Sequence, residues 1–329
     1  MGASRLASSR RLASVSRPAT PDSRDRVVVM SFHRARATMP SFPTHSSFLR
    51  GRRARGVDAK RASPNTRALD QTSTFADAVA GEWIGHCASF DPRTGDASSL
   101  PSHLVPDAFR EWGMEIKDWQ SQCSTTPRAD GNALYVKDAR FVPVVGCEAD
   151  ASTVESYERD DIVVDDASIE EGGGYSACYE DEKGTETVTH CVVVPNATPA
   201  PIRVRMKHRA DGFGVVRIWR ESFDEPFSDG GSLASSCGGN SATAKFAEYP
   251  PDAVDVVARV DAAFTLPTDA VALPAGIWFT LTANDTDGSY ASTLGYAHEA
   301  TGTHVVSFRA RASASAESTA SFERRVSNV

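Results

Sequence analysis

The sequence predicts an all-β protein, and three observations carry that prediction. From residue 81 onward nearly every apolar segment alternates with a period of two, the spacing that sends successive side chains to opposite faces of a strand. Clusters of glycine, aspartate and asparagine with turn-forming composition separate these segments. No stretch places apolar residues at i, i+3, i+4 and i+7 over three helical turns.

The first 67 residues stand apart. They hold 15 of the 35 basic residues (14 Arg and Lys60) and three of the 43 acidic ones (Asp22, Asp25, Asp58), a net of +12 that leaves −20 for 68–329. A leader rich in Ser, Ala and Arg, poor in acids and without apolar periodicity has the composition of a disordered organelle transit peptide. A secretory signal needs an apolar run of roughly 7–15 residues, and Val27-Val28-Val29-Met30 falls short of it. Leu6 stands where a myristoylation signal requires Ser or Thr. The acidic remainder argues against nucleic acid as a partner, because phosphates are bound through Lys and Arg, and favours basic protein surfaces. No segment approaches the roughly 18 apolar residues of a transmembrane helix.

Taken in order, a short lead-in helix is expected over 72–79, where Thr72, Thr74 and Asp77 offer capping chemistry. Gly81 opens the first strand, with Trp83, Gly85 and Cys87 on one face. After a turn at 91–95 and an irregular connection over 100–110, Trp112, Met114 and Ile116 alternate with Gly113, Glu115 and Lys117. That pattern predicts a half-buried strand with Trp112 inward and Trp119 at the opposite parity. Strands follow at 133–142, 153–164, 175–179 and 185–194, with a glycine-rich turn at 172–174 and a charged one at 180–184. The cleanest alternation, 202–207, pairs with 215–221 as a hairpin across Ala210-Asp211-Gly212. The segment 227–240 reads as a polar loop and 252–260 as a strand or short helix, before a closing meander at 276–283, 289–297, 303–312 and 318–326. Closure into antiparallel barrels removes the edges such a meander would expose. About a dozen strands exceed the roughly eight of a small barrel. The chain therefore holds one enlarged barrel or two, and the favoured division is 68–183 and 184–329 at the 180–184 turn.

The chemistry-bearing residues are sparse. Six cysteines (Cys87, Cys123, Cys147, Cys178, Cys191, Cys237) lack the close pairs of a zinc site and read as free and buried. His86 beside Cys87, and His190 beside Cys191, point to opposite faces of their strands, so neither pair forms a thiolate–imidazole dyad; a cross-pairing of His190 with Cys87 stays open. The acids at 160–171 and Asn284-Asp285-Thr286-Asp287-Gly288 miss the spacing of a calcium loop, and no phosphate-binding glycine loop follows a strand. No cofactor or metal is expected. Arg203, Arg205 and Lys207 share one face of their strand, as do Arg309 and Arg311. Outward, they form a basic stripe that would serve as a partner surface; inward, they line a cavity suited to carboxylates. The outward reading is favoured, since Ile202, Val204, Met206 and Phe308 occupy the other faces. Trp83, Trp219 and Trp278 read as barrel core, with ligand stacking as the alternative.

The Gly81-Glu82-Trp83 opening is similar to the first-strand signature of lipocalins and the wider calycin superfamily. That resemblance implies an arginine of the last strand, Arg324 or Arg325, packed over Trp83. The fuller pattern adds Pro106-Asp107-Ala108-Phe109-Arg110-Glu111-Trp112, Asp118-Trp119-Gln120-Ser121-Gln122-Cys123, Val145-Gly146-Cys147-Glu148-Ala149-Asp150 and Thr189-His190-Cys191. Over 75–329 the chain resembles a plant and algal plastid family of calycin-like barrels, related to a cyanobacterial and plastid domain family of unknown function. That domain family includes the biogenesis factor of the chloroplast ATP synthase. The resemblance implies two barrels, a chloroplast location (stroma, or attached to thylakoids) and no established enzyme activity. The expected function is non-enzymatic protein contact in assembling a photosynthetic or ATP synthase complex, with catalytic-head subunits as partners. The alternative is carriage of a hydrophobic ligand such as a lipid, carotenoid or tetrapyrrole, and a third is a calycin-type lyase or isomerase.

Overall fold

A computed structural model describes residues 75–128, 133–141, 153–165, 168–180, 184–230 and 243–327, with only the backbone for 153–161. The basic leader, the 145–150 motif, Cys147, Cys237 and most of the 227–240 loop lie outside these residues.

The fold is all-β and antiparallel, as predicted. A short helix α1 (Phe75–Val79) leads into β1 (Gly81–Phe90); helix α2 (Asp107–Glu111) precedes β2 (Trp119–Pro127), β3 (Ala133–Phe141) and β4 (Thr153–Val163). Strands β5 (Tyr175–Glu180), β6 (Glu186–Val194), β7 (Ile202–Arg209) and β8 (Val216–Glu225) complete an eight-stranded sheet of order β4-β3-β2-β1-β8-β7-β6-β5. Its edge strands β4 and β5 approach each other, so the sheet is a nearly closed barrel. The 202–221 hairpin forms as expected, and Gly212 takes the left-handed φ of +73° that its turn demands.

The turn at 180–184 does not divide the chain. Strands β5 and β6 on either side of it are paired, Tyr175 opposite Cys191 through Glu180 opposite Glu186. The break comes after β8. Helix α3 (Ala253–Val260) leads into a five-stranded sheet of order β13-β12-β11-β10-β9, made of β9 (Val271–Ala272), β10 (Ile277–Asn284), β11 (Ser289–His298), β12 (Thr303–Arg311) and β13 (Ser318–Val326).

Each half of the barrel-like sheet has its own covering. Inside, Trp83, Cys123, Leu134, Val136, Tyr175, Ala177 and Cys191 pack together, with α1 closing one end through Val79. Leu100, Val105 and Ile116 close the other end against Cys87, Trp119 and Trp219. Outside, Val192, Val204, Met206 and Ile218 pack against Ile277, Phe279, Leu294, Tyr296 and Val305 of the second sheet. The second sheet's far face carries α3, whose Val256, Val257 and Val260 cover Trp278 and Ala297. Strands β6, β7 and β8 are thus buried on both faces.

Candidate functional site

That double burial reverses the predicted orientation of the arginines. Strand alternation correctly sets Ile202, Val204 and Met206 opposite Arg203 and Arg205, but the apolar row faces the second sheet and the arginines face the barrel interior. Arg203 and Arg205 are 1% and 3% exposed, so neither belongs to a surface stripe.

They meet two carboxylates supplied by neighbouring strands. Arg203 on β7 lies opposite Glu221 on β8 and donates Nε to its Oε2 at 2.8 Å and Nη1 to Thr125 Oγ1 at 3.2 Å. Arg205 donates to both Glu221 oxygens at 2.9 Å and forks onto Asp138 of β3 at 2.6 and 3.0 Å. Each guanidinium also rests on an indole: Arg203 is 4.4 Å from the Trp83 ring centroid and Arg205 is 4.7 Å from that of Trp219. These two cations and two anions pair with one another, and two further guanidinium groups lie over the indoles at the far end, Arg217 at 5.7 Å from the Trp219 centroid and Arg140 at 4.8 Å from that of Trp119. Burial opposes the charge on Asp138, yet the Arg205 fork holds its carboxyl below the usual range. Burial likewise works against the charged form of Arg203, and Glu221 still holds it above the ordinary arginine value.

The same wall brings Cys123, Asp138 and Glu221 within 4.8 Å of one another, a set that on donor type alone suits a metal. The occupant is the Arg205 guanidinium, which already donates to both carboxylates. Burial pushes the Cys123 thiol up to about 12, so it is protonated and a poor ligand. Cys87 is held up at about 12 and Cys191 at about 11, again by burial. His190 faces the second sheet and Cys87 the barrel interior, which rules out their pairing.

The remaining predicted residues divide. Lys207 is half-buried with its ammonium 5.7 Å from the Tyr179 ring. Arg309 is buried, donating to Ser168 Oγ and Ser176 O, and Arg311 forks onto Glu186. Neither of these two forms an open partner surface. Arg324 pairs with Glu170 at 2.5 and 2.8 Å instead of covering Trp83; Arg203 takes that place. Trp83, Trp119 and Trp219 are interior, and Trp278 lies beneath α3. The expected strand at 112–117 is instead an irregular stretch. Trp112 is 63% exposed and Met114 is 46% exposed, while Ile116 alone of that row is buried. Backbone bonds from Trp112 N to Ala108 O and Met114 N to Phe109 O fix this loop, and Phe109 meets Trp112 edge-on at 6.2 Å.

On the outer face of the second sheet, beyond α3, lies a groove of about 420 Å³. Thr282, Ala291, Ala310 and Thr319, in register across β10 to β13, form its floor.

These features define a class: an all-β protein whose barrel-like sheet is filled by its own arginine–carboxylate–tryptophan network. No family model and no curated protein matches the chain. Among solved structures it is similar to a protein of unknown function of the DUF3598 family from Nostoc punctiforme, with 10% identity and a TM-score of 0.42. The similarity covers 78% of this chain and 99% of that one.

Proposed function

We propose that this is a non-enzymatic plastid protein that works by protein–protein contact, in the assembly of a photosynthetic or ATP synthase complex. The observation that carries the reading is the ordered loop presenting Trp112 and Met114 to solvent on an acidic body. Large apolar side chains held out by a fixed backbone favour a partner that covers them, and aromatic anchors dominate interface energetics. The net of −20 over 68–329 favours a basic partner surface. The contact therefore moves from the arginine rows, which are inside, to the barrel-closing loop.

Affinity purification from chloroplasts with the natural chain and with a Trp112→Ala/Met114→Ser variant tests it. The variant should keep the natural thermal midpoint and lose the captured partner. Recovery of the same partner by both proteins, or of none by either, would sink the reading. The carrier alternative now attaches to the groove over Thr282, Ala291 and Ala310, because the described side chains of the other strands pack across the barrel interior. A co-purifying small molecule in native mass spectrometry would favour it.

A further inference from the structure

We propose that the seam between the two sheets is an acid-operated joint: protonation of His190 and His208 beside the buried Arg309 releases the five-stranded sheet from the barrel-like sheet.

The seam has an apolar half and a polar half. The polar half centres on His190 of β6, whose Nδ1 meets Ser307 Oγ at 2.9 Å and whose Nε2 meets Ser292 Oγ at 3.0 Å. Both serines belong to the second sheet, so one imidazole bridges β6 to β11 and β12. His208 of β7 stacks on it with centroids 6.2 Å apart and planes 19° apart. His208 Nδ1 donates to the Arg209 carbonyl at 2.8 Å, which leaves Nε2 buried without a partner among the described residues. The two rings are 0% and 3% exposed.

The surrounding charges decide what acid does here. From β12, Arg309 is 5% exposed and, among the described residues, donates to uncharged oxygens, Ser168 Oγ, Ser176 O and Oγ, and Ser318 Oγ; Ser168 Oγ in turn donates to Asp165 Oδ1 at 2.8 Å. From β5, Cys178 presents a thiol that bonds Glu186, and from β11 comes the Tyr290 phenol. The nearby carboxylates are engaged elsewhere: Glu186 with Arg311, Glu170 with Arg324 and Asp211 with Arg209. A proton added to His190 therefore enters a buried region that already holds a guanidinium, with no carboxylate bonded to the ring among the described residues; at His208 the charge of Asp211 opposes burial without overcoming it.

Burial, then His208 and Arg309, hold His190 well below the usual histidine value, and burial holds His208 down to about 4. The sign follows from linkage. Above pH 6.5 both rings are neutral in the closed and the loosened states, and the joint is at full strength. Between 6.5 and about 4 the loosened state takes up protons that the closed state refuses, so the closed state loses ground as pH falls.

The test is hydrogen–deuterium exchange by mass spectrometry, corrected for intrinsic rates, at about pH 7.5 and about pH 4.5. In the natural protein, protection of β11 and β12 should fall by about tenfold or more at the lower pH while that of β2 and β3 holds; β1 is no control, because burial holds its own His86 down to about 4. In a His190→Gln/His208→Gln variant the fall should shrink to the part that His298 of β11 and His304 of β12 supply, both held below the usual histidine value by burial, His304 with Asp261 opposing. Arg309→Gln keeps both imidazoles and removes the opposing cation, so its loosening should shift to lower pH. Unchanged protection of the natural seam in acid, an undiminished fall in the double variant, loss in step with β2 and β3, or an Arg309→Gln transition at the natural pH would each overturn the proposal, the last even if the double variant fails to fold.

Discussion

At the scale of single residues, Glu221 carries the most consequence. It accepts from both Arg203 and Arg205, so its loss strands two buried cations beside one remaining carboxylate, Asp138. Removing one partner of a buried pair typically costs about 3–5 kcal/mol, and Glu221→Ala should lower the urea midpoint accordingly. Trp83→Ala removes the ring beneath Arg203 and should cost about 3–5 kcal/mol, the range of large-to-small core changes; an unchanged melting midpoint would defeat the core assignment. The thiols of Cys87, Cys123 and Cys191 should resist a disulfide reagent in the native state and react on unfolding, because burial both raises their pKa and hides them. The arginine row was visible in the sequence as a row, and its direction was not. Alternation on β7 separates two faces, and choosing which is outward assumes that only one is buried. The usable signal lay on the partner strand. Arg217, Trp219, Glu221 and Phe223 share a parity, and a face that mixes two large aromatics with a carboxylate suits an interior better than a solvated surface.

At the scale of elements, two strands show how the pattern fails. Gln120-Ser121-Gln122-Cys123-Ser124-Thr125-Thr126 has no apolar alternation, yet it is the middle of β2. Its inward residues Cys123 and Thr125 meet the polar network, and its outward Ser124 donates to the buried Glu82 at 2.5 Å. A strand with polar partners on both faces carries no hydropathy signature. The stretch 112–117 carries a clear one and forms no strand, because α2 and its backbone bonds turn the chain so that Trp112 and Met114 face water. The opposite lesson comes from α3, where Ala253, Val256, Val257 and Val260 fall at i, i+3, i+4 and i+7 and all four are buried. Eight residues sufficed for that helix because Trp278 gave its apolar stripe a surface to cover. Gly276, at the turn into β10, has φ +72°, and a β-carbon there would stand 2.2 Å from the Ala297 carbonyl oxygen. Gly276→Ala should therefore destabilise the second sheet by about 1–3 kcal/mol, measured as a fall in the urea midpoint.

At the scale of the whole molecule, the sequence disclosed the class and most of the strands but not their grouping. Turn chemistry at 180–184 looks like a boundary, and the backbone pairing across it belongs to one sheet. Grouping depends on which strand lies beside β1, and that partner, β8, is supplied by residues 216–225. A fragment ending at residue 183 would keep Trp83 and Asp138 while lacking Arg203, Arg205 and Glu221. It should show no cooperative thermal transition, and a sharp one would restore the 180–184 boundary.

The position of β1 between β2 and β8 also orders events at the ribosome. Synthesis delivers β1 to β4 first as a four-stranded ribbon, with one edge of β1 open and Asp138 still without its guanidinium. Only when residue 225 has left the exit tunnel can that edge be covered, and the second sheet that shields Val204 and Ile218 is made later still. Pairings so distant in sequence are slow to form and leave strand edges exposed while they wait. A nascent chain of this protein is therefore a natural client for chaperones through most of its translation.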